Sequence, residues 1–326
     1  MLARVVNMRG VDISRFEFDY DLTWVAFFLA KHGNILGRFG GRDAGSADKY
    51  LTVGGLKYAM SAALEAHKRG DDGQPPAPPA DRFRHAEDYP SAKRLKSNAC
   101  IHCHQVYNFR QDWLRSQGNW TRERIWEYPQ PENLGLSVYL DQQNRVKAVK
   151  SDSPAERAGL RLGDELMLID QHRLASFADV QFALHRAPTT GHITVRWQRG
   201  EQKHEADVEL PEKWRESDIS WRTSMWNLEP AASVHGQDLT PRQKKEIGLG
   251  PEHLAFRQGS FVLPAARDAG IRQGDLIIGI DGKHFDMTML QFNAYVRLNF
   301  NAGDTITFNV LRDGKRLDLP MKLPKK

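Results

Sequence analysis

Residues 153–166 read Ser153-Pro154-Ala155-Glu156-Arg157-Ala158-Gly159-Leu160-Arg161-Leu162-Gly163-Asp164-Glu165-Leu166. Residues 264–277 read Pro264-Ala265-Ala266-Arg267-Asp268-Ala269-Gly270-Ile271-Arg272-Gln273-Gly274-Asp275-Leu276-Ile277. The two glycines and the aspartate recur at an offset of 111 residues (270 − 159, 274 − 163, 275 − 164), and only the proline slips, by one place. Glycine at these positions permits turn conformations closed to other residues. Asp164 and Asp275 are placed to accept hydrogen bonds from nearby backbone donors, as turn aspartates do. After each copy comes a helical pattern and then two strands of period two. Ile193, Val195 and Trp197 alternate in the first copy, and Ile306, Phe308 and Val310 in the second. That period predicts one buried face per strand. Arg199-Gly200 and Asp313-Gly314 are the predicted hairpin turns. One small β-rich domain therefore occurs twice, at 131–212 and 219–324.

The pattern Ser-Pro-Ala-x-x-Ala-Gly-Leu-x-x-Gly-Asp resembles the signature of bacterial PDZ domains, such as those of HtrA-type and site-2 proteases. The resemblance implies a groove that takes an extended C-terminal peptide as an added strand, its carboxylate held by a backbone nest. In the first copy the nest motif falls on Asn133-Leu134-Gly135-Leu136, followed by the strand Ser137-Val138-Tyr139-Leu140. The helix Phe177 to Arg186, with Phe177, Val180 and Leu184 on its apolar face, is the expected second wall. Implied peptide-binding residues are therefore Leu134, Gly135, Leu136, Val138, Phe177, Val180 and Leu184, and the implied partners are protein or peptide C-termini. In the second copy the expected strand, Trp221 to Leu228, has no glycine, which leaves carboxylate binding there in doubt. An insertion follows, with Thr240 as N-cap, Pro241 as first helical residue and Gly248 as terminator. No Gly-x-Ser-Gly nucleophile or His/Asp/Ser set stands upstream, so the reading is a binding protein rather than an enzyme.

Only two cysteines occur, as Cys100-Ile101-His102-Cys103-His104. Cys-x-x-Cys-His is the attachment motif of c-type haem: Cys100 and Cys103 would form the thioethers and His104 would bind the iron. No methionine lies between Cys103 and the first repeat, so a distal ligand would come from elsewhere, with His67, His85 and His102 as candidates, or the iron would be five-coordinate. A dithiol pair, a zinc site completed by other histidines and inert thiols are the alternatives. A haem of this kind places the chain in the periplasm or cell envelope, where such haem is attached.

The N-terminal 70 residues read as strand (Ala3 to Asn7), strand (Thr23 to Ala30), a turn at His32-Gly33-Asn34, strand (Ile35 to Phe39) and then a helix capped by Thr52. This order, with Leu22-Thr23 before Trp24 to Leu29, resembles the C-terminal half of a thioredoxin fold. Together with the haem motif and the tandem repeats, Phe16 to Trp24 resembles the thioredoxin-like/PDZ (seleno)protein family. That resemblance implies a preceding strand and redox helix, and a signal peptide, which this chain starts after. Asp19, Asp21 and Asp43 read as solvated loop residues. Asp71 to Pro79, with prolines at 75, 76, 78 and 79, gives a stiff linker, set at 71–82. Residues 83–130 form a small helical segment around the cysteines, with Trp113, Trp120 and Trp126 as packing aromatics.

Composition bounds the rest. The 326 residues carry 46 Lys+Arg and 41 Asp+Glu, a net charge of +5. The charges are interleaved rather than gathered, which argues against nucleic acid. The longest apolar run, Trp24 to Ala30, has seven residues, against the ~20 a membrane span needs. Two adjacent cysteines exclude a disulfide scaffold. The expected fold is α+β: a partial thioredoxin-like unit (1–70), a linker (71–82), a helical Cys-x-x-Cys-His segment (83–130) and two PDZ-like domains. The function expected is a cell-envelope PDZ protein joining haem c to peptide recognition. A plain PDZ adaptor and a thiol oxidoreductase are the alternatives.

Overall fold

A computed structural model describes residues 2–71, 73 and 83–325. The chain forms two compact units, Met1–Ser217 and Asp218–Lys326. All of the expected linker except Asp71 and Gly73 lies outside the described residues.

The first unit opens with an antiparallel hairpin, β1 (Val25–Leu29) and β2 (Ile35–Gly40). Its turn is closed by Ala30 N–H donating to Asn34 O at 2.8 Å, with Gly33 at φ 79°. Helix α1 (Val53–Lys68) starts where expected, with Thr52 Oγ1 accepting from Gly55 N–H. The strand expected at 3–7 does not form. Val5 and Val6 stay exposed because no edge pairs with them. A strand persists only where a partner supplies the ladder.

Helix α2 (Cys103–Ser116) and 3-10 turns at Ala86–Asp88, Pro90–Arg94 and Arg122–Ile125 make up the segment between the linker and the first repeat. This segment is not separate from the N-terminal residues. Met8, Ile13, Phe18 and Tyr20 share one buried cluster with Tyr89, Ile101, Val106, Tyr107, Phe109 and Tyr128. Backbone bonds from Met8 N to Ile101 O and from Ile13 N to Arg84 O, both 2.9 Å, stitch the two stretches together. The expected units 1–70 and 83–130 thus build a single core. The physical reason is size, since each stretch has too few apolar side chains to bury alone.

The first repeat contains β3 (Leu136–Val138), β4 (Val146–Val149), α3 (Pro154–Arg157), β5 (Glu165–Ile169), β6 (His172–Arg173), α4 (Phe177–Arg186), β7 (Gly191–Arg199) and β8 (Gln202–Leu210). Strands β6-β5-β7-β8 form one antiparallel sheet, and β3-β4 a second ribbon. Ile193, Val195 and Trp197 face a core that also takes Leu160, Leu166, Val180 and Leu184. The second unit repeats the plan. A five-stranded sheet runs β13 (Lys315–Lys322), β12 (Thr305–Arg312), β11 (Leu276–Ile280), β10 (Phe256–Gln258), β9 (Gly236–Asp238). Helices α5 (Pro241–Glu246), α6 (Pro264–Asp268) and α7 (Met289–Asn299) complete it. Thr240 caps α5 and Gly248, at φ 77°, follows its end, as the sequence implied. Among the described residues no helix is long and apolar enough to cross a membrane.

The repeated Gly-Asp turns use one construction twice. Gly159, Gly163, Gly270 and Gly274 all sit at φ between 88° and 90°. Asp164 is fully buried and accepts from Arg161 N–H at 2.8 Å. Arg199 clamps it through Nε at 2.7 Å and Nη2 at 2.8 Å, and Nη2 also reaches Gly159 O. Asp275 accepts from Arg272 N–H at 2.8 Å. Arg312 clamps it through both nitrogens at 2.7 Å and likewise reaches Gly270 O. Both carboxylates are staples of the turn, engaged on all sides.

Candidate functional site

The expected groove would lie between the strand after the nest and the long helix. In the first copy these are β3 and α4. Leu134, Leu136, Val180 and Leu184 are all buried members of the domain core. Gly135 stands at φ 86°, and a Cβ there would overlap the Ser153 side chain. Val138 and Phe177 are also buried, but against a residue from far upstream: they form one cluster with Tyr50. The Tyr50 ring stacks on Phe177 with centroids 3.5 Å apart and planes at 7°.

The approach to α4 is lined by the same stretch of chain. A Cβ on Gly41, at φ 118°, would sit 2.5 Å from the Phe177 ring and 3.1 Å from Gln181 Oε1. Arg38 N–H donates to Asp179 Oδ1 at 2.9 Å, and the Arg38 guanidinium lies 3.5 Å from the Phe182 ring centroid. Gln143 joins the two sides, its Nε2 donating to Tyr50 O at 2.8 Å and its Oε1 accepting from Phe177 N–H at 3.1 Å. Tyr50 O–H donates to Glu132 Oε1 at 3.4 Å, beside the nest. Burial raises both the Tyr50 phenol and the Glu132 carboxyl above their ordinary ranges. Sequence reasoning gave Tyr50 no role. Its partners are 88 and 127 positions away (138 − 50, 177 − 50).

The second copy shows where its nest is. In the first copy Val138 pairs Val146, whose N–H donates to Asp164 O and whose O accepts from Gly163 N–H. In the second, Gly236 pairs Gln258, whose N–H donates to Asp275 O and whose O accepts from Gly274 N–H. Gly236 is therefore the counterpart of Val138, and counting back makes Ser233 the counterpart of Gly135. Ser233 has φ 57°, so the left-handed conformation is kept with a side chain in place of the glycine. The expected strand at Trp221–Leu228 is instead a 3-10 turn, Thr223–Asn227. The nest was hidden because Ala231-Ala232-Ser233-Val234 keeps the apolar flanks but not the glycine.

The facing helix α7 carries an arginine in an unusual setting. Arg297 is 4% exposed. Its Nη1 donates to Asn293 O and Oδ1 at 3.0 and 3.1 Å, its Nε is buried without a partner, and Trp226 covers the guanidinium at 4.9 Å. Desolvation pulls its pKa down to about 10. Asn293 Nδ2 in turn reaches Val234 O at 3.3 Å, so Arg297 is linked through one side chain to the nest loop.

The cysteines form a different locality. Cys103 is the first residue of α2, with His102 as its cap. Cys100 is exposed and Cys103 half-buried, both as free thiols. Burial raises the Cys103 thiol, which lowers its thiolate fraction and its use as a nucleophile. His104 is half-buried, its imidazole pulled down chiefly by desolvation, and its Nδ1 is buried without a hydrogen-bond partner. Among the described residues no group of three or more His, Cys, Asp or Glu side chains is arranged to hold a metal ion. Trp113 packs against the core of this unit, and Trp126 Nε1 donates to Ser217 O at 3.1 Å.

Residues 145–199 and 263–323, within the two repeats, each match a PDZ domain family. A probable periplasmic serine endoprotease DegP-like of Marinomonas sp. (strain MWYL1) is 24% identical over 216 residues, covering 65% of this chain and 45% of that protein. A probable periplasmic serine protease do/HhoA-like of Haemophilus influenzae is 24% identical over 177 residues, 54% of this chain and 34% of that protein. The serine endoprotease structure from Yersinia pestis aligns with 23% of this chain and 27% of its own at 20% identity, with a TM-score of 0.21. The chain thus spans less than half the length of these curated relatives. None of these similarities points to a thioredoxin-like unit.

Proposed function

We propose that the chain is an extracytoplasmic PDZ adaptor that binds the C-terminal tails of proteins or peptides through its second copy, without redox chemistry. The periplasmic relatives support the compartment. The observation that carries the binding reading is Arg297, a nearly buried cation with no carboxylate on it among the described residues, joined through Asn293 to the Ser233–Val234 nest. A buried charge without an opposite charge is costly, and an incoming terminal carboxylate supplies one. In this reading the ligand lies along β9, its last residue at the nest and Trp226 moving with it. A ten-residue peptide with an apolar, free-acid C-terminus tests this by fluorescence anisotropy. Arg297→Gln should weaken it tenfold or more, since charge-assisted hydrogen bonds contribute about 1.5–3 kcal/mol. Unchanged affinity refutes the role of Arg297.

Covalent haem at Cys100, Cys103 and His104 is the second reading, supported by the unpartnered Nδ1 of His104 beside two free thiols. Bound haem would supply one-electron chemistry; the chain's own part is to present both thiols and the imidazole around one helix start. Protein made with a periplasmic haem-maturation system should then keep its haem absorption after denaturation. Colourless protein ends this reading and leaves the adaptor one standing. The thioredoxin-like ancestry of the N-terminal residues is likewise a proposal, resting on the strand–turn–strand–helix order alone.

A further inference from the structure

We infer that the groove of the first PDZ copy is the docking site for this chain's own segment Gly41–Tyr50, which holds it closed to free chain termini. The inference rests on reading β3 and α4 as a PDZ groove. Within that groove the segment meets both walls. Gly41 passes α4 where Phe177 and Gln181 leave no room for a side chain. Tyr50 fills the space between Val138 on β3 and Phe177 on α4. The buried residues Val138 and Phe177 thus keep a recognition role, with a ligand supplied in the same chain.

The segment is ordered for this task. Asp43 accepts from Gly45 N–H at 2.9 Å, Ser46 N–H at 3.2 Å and Lys49 Nζ at 2.5 Å, closing the loop that ends on Tyr50. The Lys49 ammonium lies 4.9 Å from the Tyr50 ring. An ordered loop loses little entropy on docking. Thr52 then donates to Leu140 O at 2.9 Å and starts α1, which fixes the far end.

The docking is incomplete in one respect. Among the described residues no backbone hydrogen bond joins 41–50 to β3, and β3 pairs with β4 alone. The segment packs on Val138, Phe177 and Gln181 and leaves the strand edge unladdered. An extended ligand would gain the ladder bonds that the segment does not make, so the two compete. The apparent affinity of the first copy for a free tail falls by the fraction of time the segment is undocked. The second copy differs, for Met289, the counterpart of Phe177, is only half-buried, and Leu290 beside it is 39% exposed.

The test uses the full chain with labelled methyl and aromatic groups. In the wild type, nuclear Overhauser contacts should join the Tyr50 ring to the Val138 methyls; their absence overturns the inference. A ten-residue peptide with a free apolar C-terminus, and its amide, are then titrated. In the wild type, shifts should appear at Val234 and Val296 of the second copy, with Val138 unmoved over that range. In Tyr50→Ala, Val138 should respond at a peptide concentration at least tenfold lower than in the wild type. Val138 moving in the wild type together with the second copy overturns the inference. So does a folded Tyr50→Ala chain with no gain at Val138 while the second copy binds. Should Tyr50→Ala not fold, Tyr50→Phe, which removes only the hydroxyl bonded to Glu132, takes its place; it must keep the ring contacts, and losing them overturns the inference. If the Tyr50 contacts are present and no peptide binds either copy, the docked segment stands and the peptide-binding reading is what fails.

Discussion

Removing Arg199 or Arg312 should cost the same free energy in two different units of one chain. Each arginine makes three bonds at 2.7–2.8 Å, two to a buried aspartate and one to a glycine carbonyl. Arg199→Ala leaves Asp164 fully buried with one backbone donor, Arg161 N–H. Breaking a buried pair from one side costs about 3–5 kcal/mol. Because the Arg199 and Arg312 side chains are 33% and 21% exposed, water replaces part of the loss, and about 3 kcal/mol is expected for each. The thermal consequences differ. A unit of 109 residues (326 − 217) shifts by roughly 4–8 °C per kcal/mol near that size and one of 217 residues by roughly 2–4 °C. Arg312→Ala should therefore lower the transition of the second unit by at least 10 °C, and Arg199→Ala that of the first by about half as much. Calorimetry of the full chain resolves both. A cost under about 1 kcal/mol in either variant, or a shift in the wrong unit, refutes the view of these aspartates as turn staples.

Three further outcomes follow from the same geometry. Gly135→Val should destabilise the first unit by about 2 kcal/mol or more, since φ 86° and the overlap with Ser153 act together; Ser233→Gly, at the equivalent place, should stabilise the second by up to about 1 kcal/mol, and urea melts of both variants give the two signs. Asp12 is pushed up by burial but pulled further down, to about 2, by hydrogen bonds from Ser14, Arg84 and Arg15. A depressed carboxyl stabilises the fold above its unfolded value near 4 and loses that contribution as pH falls toward 2. With Arg84 largely exposed, Asp12→Asn should cost about 1 kcal/mol at pH 7, a difference that shrinks toward pH 2 in melts followed across that range. Tyr58→Phe removes the 2.9 Å bond to Glu165 and should lower first-unit stability by about 1 kcal/mol, read by the same melts.

What was legible in the sequence is what local chemistry fixes. The Gly-Asp turns, the hairpin at Asp313-Gly314, the Thr52 and Thr240 caps and the helix Phe177–Arg186 each follow from residues within a few positions of one another, while the first copy's hairpin turn falls one residue later than read, at Gly200-Glu201. The left-handed turn at Gly135 in the first copy was legible because a glycine marks it. Its counterpart was not, because Ser233 reaches the same backbone conformation without the marker. Tyr50 was illegible for another reason: its partners are more than 80 positions away, and nothing in an isolated Lys-Tyr-Leu separates a groove-filling ring from a core one. The single core shared by Met8–Tyr20 and Tyr89–Tyr128 escaped likewise, since the proline run between them reads as a boundary.

The claim that the chain recognises free C-termini has one direct measurement, the affinity of the full protein for the same apolar ten-residue peptide as free acid and as amide. Arg297, which has no carboxylate partner among the described residues and is linked through Asn293 to the Ser233–Val234 loop, requires the free acid to bind at least tenfold more tightly, with Trp226 fluorescence changing on its addition. Equal affinity for acid and amide would contradict it.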